Sequence, residues 1–221
     1  MKLILKAVLL GVLAVLLLGA LLFLPAGDFK YWNGWLFIAA VMIPMNFIHM
    51  YLVRNDPALV EKRMKIIEKD KLQDIIKAFM YLSMIAFFPV SGFDYRYHWS
   101  TVPVWLVIIF TIVMICGMFM LFMVMKENSY ASKVIEIQEG QRVIDTGLYS
   151  VVRHPMYLAG TIVFCSWPFV LGSFYALIPA VCISLLLPLR IKNEETLLRE
   201  GLNGYDLYMK KVKYRLIPYV W

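Results

Sequence analysis

The sequence predicts an all-α integral membrane protein, a polytopic helical bundle of about six spans with a cytoplasmic helical tail. Three observations lead there. Of 221 residues, 62% are hydrophobic and only 17% charged, against roughly 45–50% apolar and 25% charged in an ordinary soluble domain. Four apolar runs, at about 3–24, 34–53, 74–93 and 101–125, each approach the roughly 20 residues that cross a bilayer as a helix. Residues 157–189 then carry no charge at all.

The first run has Lys2 and Lys6 ahead of a Leu-rich core. It is longer than a signal-peptide core and lacks a small-x-small cleavage site, so it counts as a first span. Runs two to four complete an N-terminal region, 1–125, with one charged interruption. That interruption, at 55–73, opens with Asn55-Asp56-Pro57 and mixes Leu59, Met64, Ile66 and Ile67 with many charges. It reads as an amphipathic helix on the cytoplasmic face.

The uncharged stretch 157–189 is too long for one crossing and is broken at Gly172-Ser173, with Pro168, Pro179 and Pro188 along it. It predicts a helical hairpin within 156–190, of two short spans at 156–171 and 173–190. Region 126–221 thus comprises a loop, this hairpin and a tail, with a short helix stopping at Gly201 and a second from about Tyr205 to Val212.

Charge sets the orientation. Basic residues collect before span one, in 54–73, in 126–155 and in the tail, all on one side; Lys30 and Arg96 stand alone on the other. The positive-inside rule puts both termini in the cytoplasm, as expected of a multi-pass plasma (inner) membrane protein. Trp32, Trp35, Trp99 and Trp105 then form an outer aromatic belt.

The formal charge of +7 does not signal nucleic acid, because no basic stripe is interleaved with stacking aromatics. Cys116, Cys165 and Cys182 lie in apolar runs without CxxC spacing, and the three histidines are far apart, so no metal site is expected. The spans are also poor in the ionisable groups that transporters and pumps keep inside the membrane. Nothing in the sequence sets the oligomeric state.

Polar chemistry is instead concentrated in two cytoplasmic blocks flanking the hairpin. In the first, TGLYSVVRHPMYLAG at 146–160, Pro155 suits the first turn of a helix. Arg153 and His154 therefore precede a helix N-terminus, a ready site for a carboxylate or phosphate. Tyr157, Gly160 and Phe164 share one face, and Gly160 leaves room there for a ligand or a neighbouring helix. These residues alone leave open a plain Arg-anchored span start. In the second block, Arg190 and Glu194 stand four apart with Glu195 beside them, a spacing that also describes a modest surface ion pair.

In order and spacing, TGLYSVVRHPMYLAG, the two-span hairpin, R-x3-EE-x2-L at 190–198 and YDLYMKKVKYRLIP at 205–218 resemble the prokaryotic branch of the isoprenylcysteine carboxyl methyltransferase family. The resemblance covers roughly the C-terminal 40% of the chain. It implies S-adenosylmethionine-dependent methyl transfer, releasing S-adenosylhomocysteine, to a lipophilic or lipidated acceptor arriving from the bilayer lipids, and a cofactor pocket closed by the tail. It further implies cofactor contacts at Gln141, Arg142, Val143 and Ile144, at Tyr149, at His154, Pro155, Met156 and Tyr157, and at Glu194, with Arg190 on the substrate side. Catalysis would rest on Arg190 and Glu194.

One position departs from the pattern: the family's upstream glutamine aligns near Val134, leaving Gln138 as its replacement or the contact missing. The acceptor expected is a carboxylate, prenylcysteine-like, or a thiol, with a phospholipid amine as the alternative. A second resemblance competes: YMKKVKYRLIPYVW at the C-terminus is similar to that of membrane sterol reductases, which use NADPH.

Overall fold

A computed structural model describes residues 2–64, 71–132 and 134–221, with side chains from residue 11 onward. The described residues are all-helical, in the order α1 (Lys2–Ala26), α2 (Trp32–Asn55), α3 (Pro57–Met64), α4 (Lys71–Tyr97), α5 (Val104–Glu127), α6 (Pro155–Val170), α7 (Leu177–Gly201) and α8 (Tyr205–Lys211). A 3-10 turn at Gly147–Ser150 precedes α6.

Three of these helices, α2, α4 and α5, are long and apolar enough to cross a membrane, and Gly11–Ala26 and α6 add shorter apolar stretches. Large side chains such as Leu16, Leu24, Ile43, Phe119 and Leu185 lie fully open on the bundle's surface. A surface of that kind suits hydrocarbon rather than water. The chain is therefore an integral membrane helical bundle. Trp32, Trp35, Trp99 and Trp105 are all exposed.

Local signals set the breaks. Pro57 disfavours helical geometry at Asp56, which sits at φ −147°, ψ 69° and ends α2. The Asp56 carboxylate then accepts the Leu59 N–H at 3.0 Å, capping α3. Only the first part of the expected amphipathic segment is seen as this helix: Leu59 is fully buried against Ile48, Leu52 and Met125, while Ile66 and Ile67 lie outside the described residues.

Two glycines let helices touch. A Cβ on Gly92 of α4 would lie 2.8 Å from the Leu22 carbonyl of α1, and one on Gly117 of α5 would lie 2.9 Å from Val163 of α6. Gly160, expected to provide such an approach, has only Phe164 near it, at 3.9 Å. The close contact on α6 is made opposite Gly117 instead. At the centre, Trp167 packs its ring against Phe37, Phe87 and Phe88 at centroid distances of 5.1, 5.2 and 5.6 Å. This core draws on α1, α2, α4, α5, α6 and α7 together.

The C-terminal hairpin differs from expectation in one respect that matters for the site. Its first limb ends at Val170, and the turn at 171–176 uses Gly172 at φ +73°. The second limb does not stop at Arg190: α7 runs unbroken to Gly201. Charges mark where a helix leaves the apolar layer, not where its hydrogen bonding ends. Only residues 177–189 of α7 are uncharged, about 20 Å of helix, so Arg190 and Glu194 lie on the same continuous helix as the apolar part, just past Pro188.

Candidate active site

The site forms where the start of α6, the C-terminal end of α7 and the tail meet. Arg153, expected as an anchor, is instead one of the most enclosed charges in the protein, 7% exposed. Its Nε donates to Glu195 Oε1 at 2.6 Å, and its Nη1 donates to the carbonyls of Val212 and Lys213 at 2.8 and 2.9 Å. His154 Nε2 lies 3.2 Å from the same Glu195 oxygen, and Arg215 Nε donates to Glu195 Oε2 at 2.7 Å. Burial pushes the Glu195 carboxyl up, yet the hydrogen bonds from His154, Arg153 and Arg215 outweigh it and hold it down at about 2.

Backbone bonds reinforce the knot: the amides of Arg153 and His154 donate to the carbonyls of Tyr214 and Arg215, both at 2.9 Å. The approach to α6 is therefore roofed by the tail.

The second Glu of the pair faces the other way. Glu194 Oε2 accepts the Tyr157 hydroxyl at 2.6 Å, and that hydroxyl in turn accepts Arg190 Nε at 3.1 Å. Arg190 and Glu194 thus meet through Tyr157 rather than as a direct ion pair. Arg190 Nη1 reaches Gln73 Oε1 of α4 at 3.5 Å. Adjacent glutamates on a helix point about 100° apart, and this chain uses that to separate a structural knot from a cleft-facing carboxylate.

Between these groups lies a cleft of about 890 Å³, counting its open mouth. Its walls include Gln141, Arg142, Val143, Ile144, Tyr149, His154, Pro155, Met156, Tyr157, Arg190 and Glu194. The structure thus brings together around one cavity every site residue that the sequence singled out. Val134 also lines it, whereas Gln138 does not. Gln138 is turned inward: its Nε2 donates to the Tyr130 carbonyl at 2.8 Å and its amide N–H to Gln141 Oε1 at 2.9 Å. Its Oε1 is buried with no hydrogen-bond partner among the described residues.

Several lining residues escaped the sequence reading. Leu197 and Leu198 follow Glu194 at three and four positions, so their place on the same face was legible. Asn128 gave no such signal. Its Nδ2 donates to the Tyr149 hydroxyl at 2.8 Å, while Tyr208 donates its hydroxyl to the Tyr149 carbonyl at 2.7 Å. Burial pushes the Tyr149 phenol up to about 12, so it stays neutral. Arg63 of α3 donates to the Ala131 carbonyl at 2.8 Å and reaches the Met156 sulfur at 3.7 Å, tying the interfacial helix to the cleft wall.

Fold and site together define a polytopic membrane protein with a polar cleft at one end of the α6–α7 pair. Residues 105–203, from α5 through the end of α7, match the family model described as phospholipid methyltransferase. The chain is also similar to a Delta(14)-sterol reductase of Mus musculus, 29% identical over 93 residues that cover 40% of this chain and 22% of that relative. The cleft residues from Asn128 to Leu202 all fall inside the family match; Tyr205 and Tyr208 lie beyond it.

Proposed function

We propose that this chain is a membrane-embedded, S-adenosylmethionine-dependent methyltransferase that acts on a lipophilic acceptor at the cytoplasmic face. The observation that carries this reading is the single cleft at the end of the α6–α7 pair, which unites both polar blocks within the stretch that matches a methyltransferase family. The likeness to a sterol reductase supports an NADPH-dependent alternative over a smaller share of the chain.

The residues present fit the cofactor. The cleft sets a few converging polar groups among apolar wall, as small-molecule sites do. Among the described residues Glu194 Oε1 accepts no hydrogen bond, so it offers an acceptor to an ammonium or hydroxyl group. Val134, Met156, Leu197 and Leu198 supply apolar wall. Bound there, S-adenosylmethionine supplies the methyl group to be transferred.

The chain's own residues then have a division of labour. Gln141 to Ile144, Tyr149 and His154 to Tyr157 hold the cofactor. The Tyr157 hydroxyl fixes Oε2 of Glu194, which keeps the other oxygen aimed inward. Arg190, steadied by Tyr157 and Gln73, orients an anionic group of the acceptor. Positioning of this kind supplies much of the rate in a two-reactant displacement, and the roof pinned at Glu195 keeps water out. No metal and no base are needed when the acceptor is an ionised carboxylate.

Arg190 suits the carboxylate of a prenylcysteine-like acceptor, our first choice. It equally suits the phosphate of a phospholipid, the substrate class in the matching family's description, with a phospholipid amine as the alternative acceptor. The acceptor enters from the bilayer, and the basic loops support a plasma (inner) membrane protein with both termini cytoplasmic.

Two measurements test the reading. Thermal stability of the detergent-purified protein should rise with S-adenosylhomocysteine and not with NADPH, because only a ligand of the folded state stabilises it; the reverse pattern would establish the reductase. Radiolabelled methyl transfer into a prenylcysteine analogue and into a membrane lipid extract then identifies the acceptor.

A further inference from the structure

Tyr205 opens α8, just past Gly204 at φ +86°, and its ring is packed with Tyr208, Leu202 and Val212. The residue is 4% exposed and forms part of the cleft wall. Its hydroxyl is fully buried and has no hydrogen-bond partner among the described residues. Every other tyrosine hydroxyl discussed above is satisfied: Tyr149 by Asn128, Tyr157 by Glu194 and Arg190, and Tyr208 by the Tyr149 carbonyl.

A buried hydroxyl without a partner is costly and uncommon, and in a native protein it asks for an explanation. Phenylalanine would fill the same space without that cost. The nearest source of a partner is whatever occupies the cleft that Tyr205 helps to line. Burial, with Glu195 and Glu194 adding to it, pushes the phenol's ionisation far up, so the group is a neutral O–H able to donate.

We propose that Tyr205 is a cofactor-binding residue, whose hydroxyl donates a hydrogen bond to an acceptor atom of the S-adenosyl ligand and so couples α8 to an occupied cleft. This rests on the methyltransferase reading and extends it to a residue outside the stretch that matches the family model. It also gives the tail a direct part in holding the ligand, beyond its role as a roof.

The test is Tyr205→Phe in the full-length, detergent-purified protein, with S-adenosylhomocysteine titrated by calorimetry and the melting temperature measured with and without it. A ligand contact predicts affinity about five- to tenfold weaker, the effect of one modest hydrogen bond. It also predicts a ligand-free melting temperature equal to or above the parent's, because the variant removes an unsatisfied buried group. Unchanged affinity overturns the proposal, as does a weaker affinity accompanied by a lower ligand-free melting temperature, which marks a structural role. If the parent itself binds no S-adenosylhomocysteine, the methyltransferase reading fails first, and the two failures are told apart.

Discussion

Replacing Glu195 with Gln should release the C-terminal tail without unfolding the bundle. Glu195 is 3% exposed and takes hydrogen bonds from Arg153, His154 and Arg215. Glutamine keeps the volume, loses the charge and turns an N–H₂ toward cations. A carboxyl that ordinarily titrates at 4.5 and is held down at about 2 contributes roughly 3 kcal/mol of stability at neutral pH. Removing one partner of a buried ion pair costs about 3–5 kcal/mol, the same order. The sign follows from the depressed value: the contribution is fully present above about 4.5 and is lost as pH falls toward about 2. The reporters are the amides of Arg153 and His154, which donate to Tyr214 and Arg215 and exchange only when the tail lifts. At pH 7 their hydrogen exchange should be on the order of a hundredfold faster in the variant, since 1.4 kcal/mol is a factor of ten. In the parent, protection corrected for intrinsic rates should fall by a similar factor between pH 4.5 and 2. Protection within threefold of the parent at pH 7, or a flat parental profile across that window, would refute the assignment of Glu195 as the knot.

Three further outcomes are expected. Arg190→Ala should cut turnover on the order of a hundredfold or more, as loss of an orienting charge does, while S-adenosylhomocysteine affinity stays within about threefold; equal loss of both would defeat the proposed division of roles. Gly92→Ala should lower stability by about 1–3 kcal/mol, read as a lower melting temperature, because its Cβ meets the α1 backbone at 2.8 Å and no flexible side chain can yield. Asp94→Ala should cost about 2–3 kcal/mol by the same measurement, since Asp94 takes the Ser100 N–H at 2.7 Å, the Ser100 hydroxyl at 2.6 Å and the Ser173 hydroxyl at 2.5 Å.

The existence of the apolar helices was legible because their signal is local and long. The α3 start was legible for the same reason, in three consecutive residues. What the sequence hid depends on partners distant along the chain. The burial of Arg153 is settled by Glu195, 42 positions away, and by carbonyls 59 and 60 positions away, so its charge at a span boundary reads like any anchor. That the Gln138 amide nitrogen is taken by the Tyr130 carbonyl is likewise invisible in the sequence. Gly201 reads as a helix stop in the sequence, but the continuity of that helix with the apolar limb was concealed, because composition changes at Arg190 while helical geometry does not. Gln141 to Ile144 and the other cofactor contacts were named only through the resemblance to a known family; periodicity extends that list only to Leu197 and Leu198.

That continuous α7 has a further consequence. Arg190 and Glu194 are one turn apart on one rod, about 6 Å along its axis, and no hinge separates them. On the proposed function, the helix is a ruler: the fixed rise between the two residues sets how far the group held by Arg190 lies from the group held by Glu194.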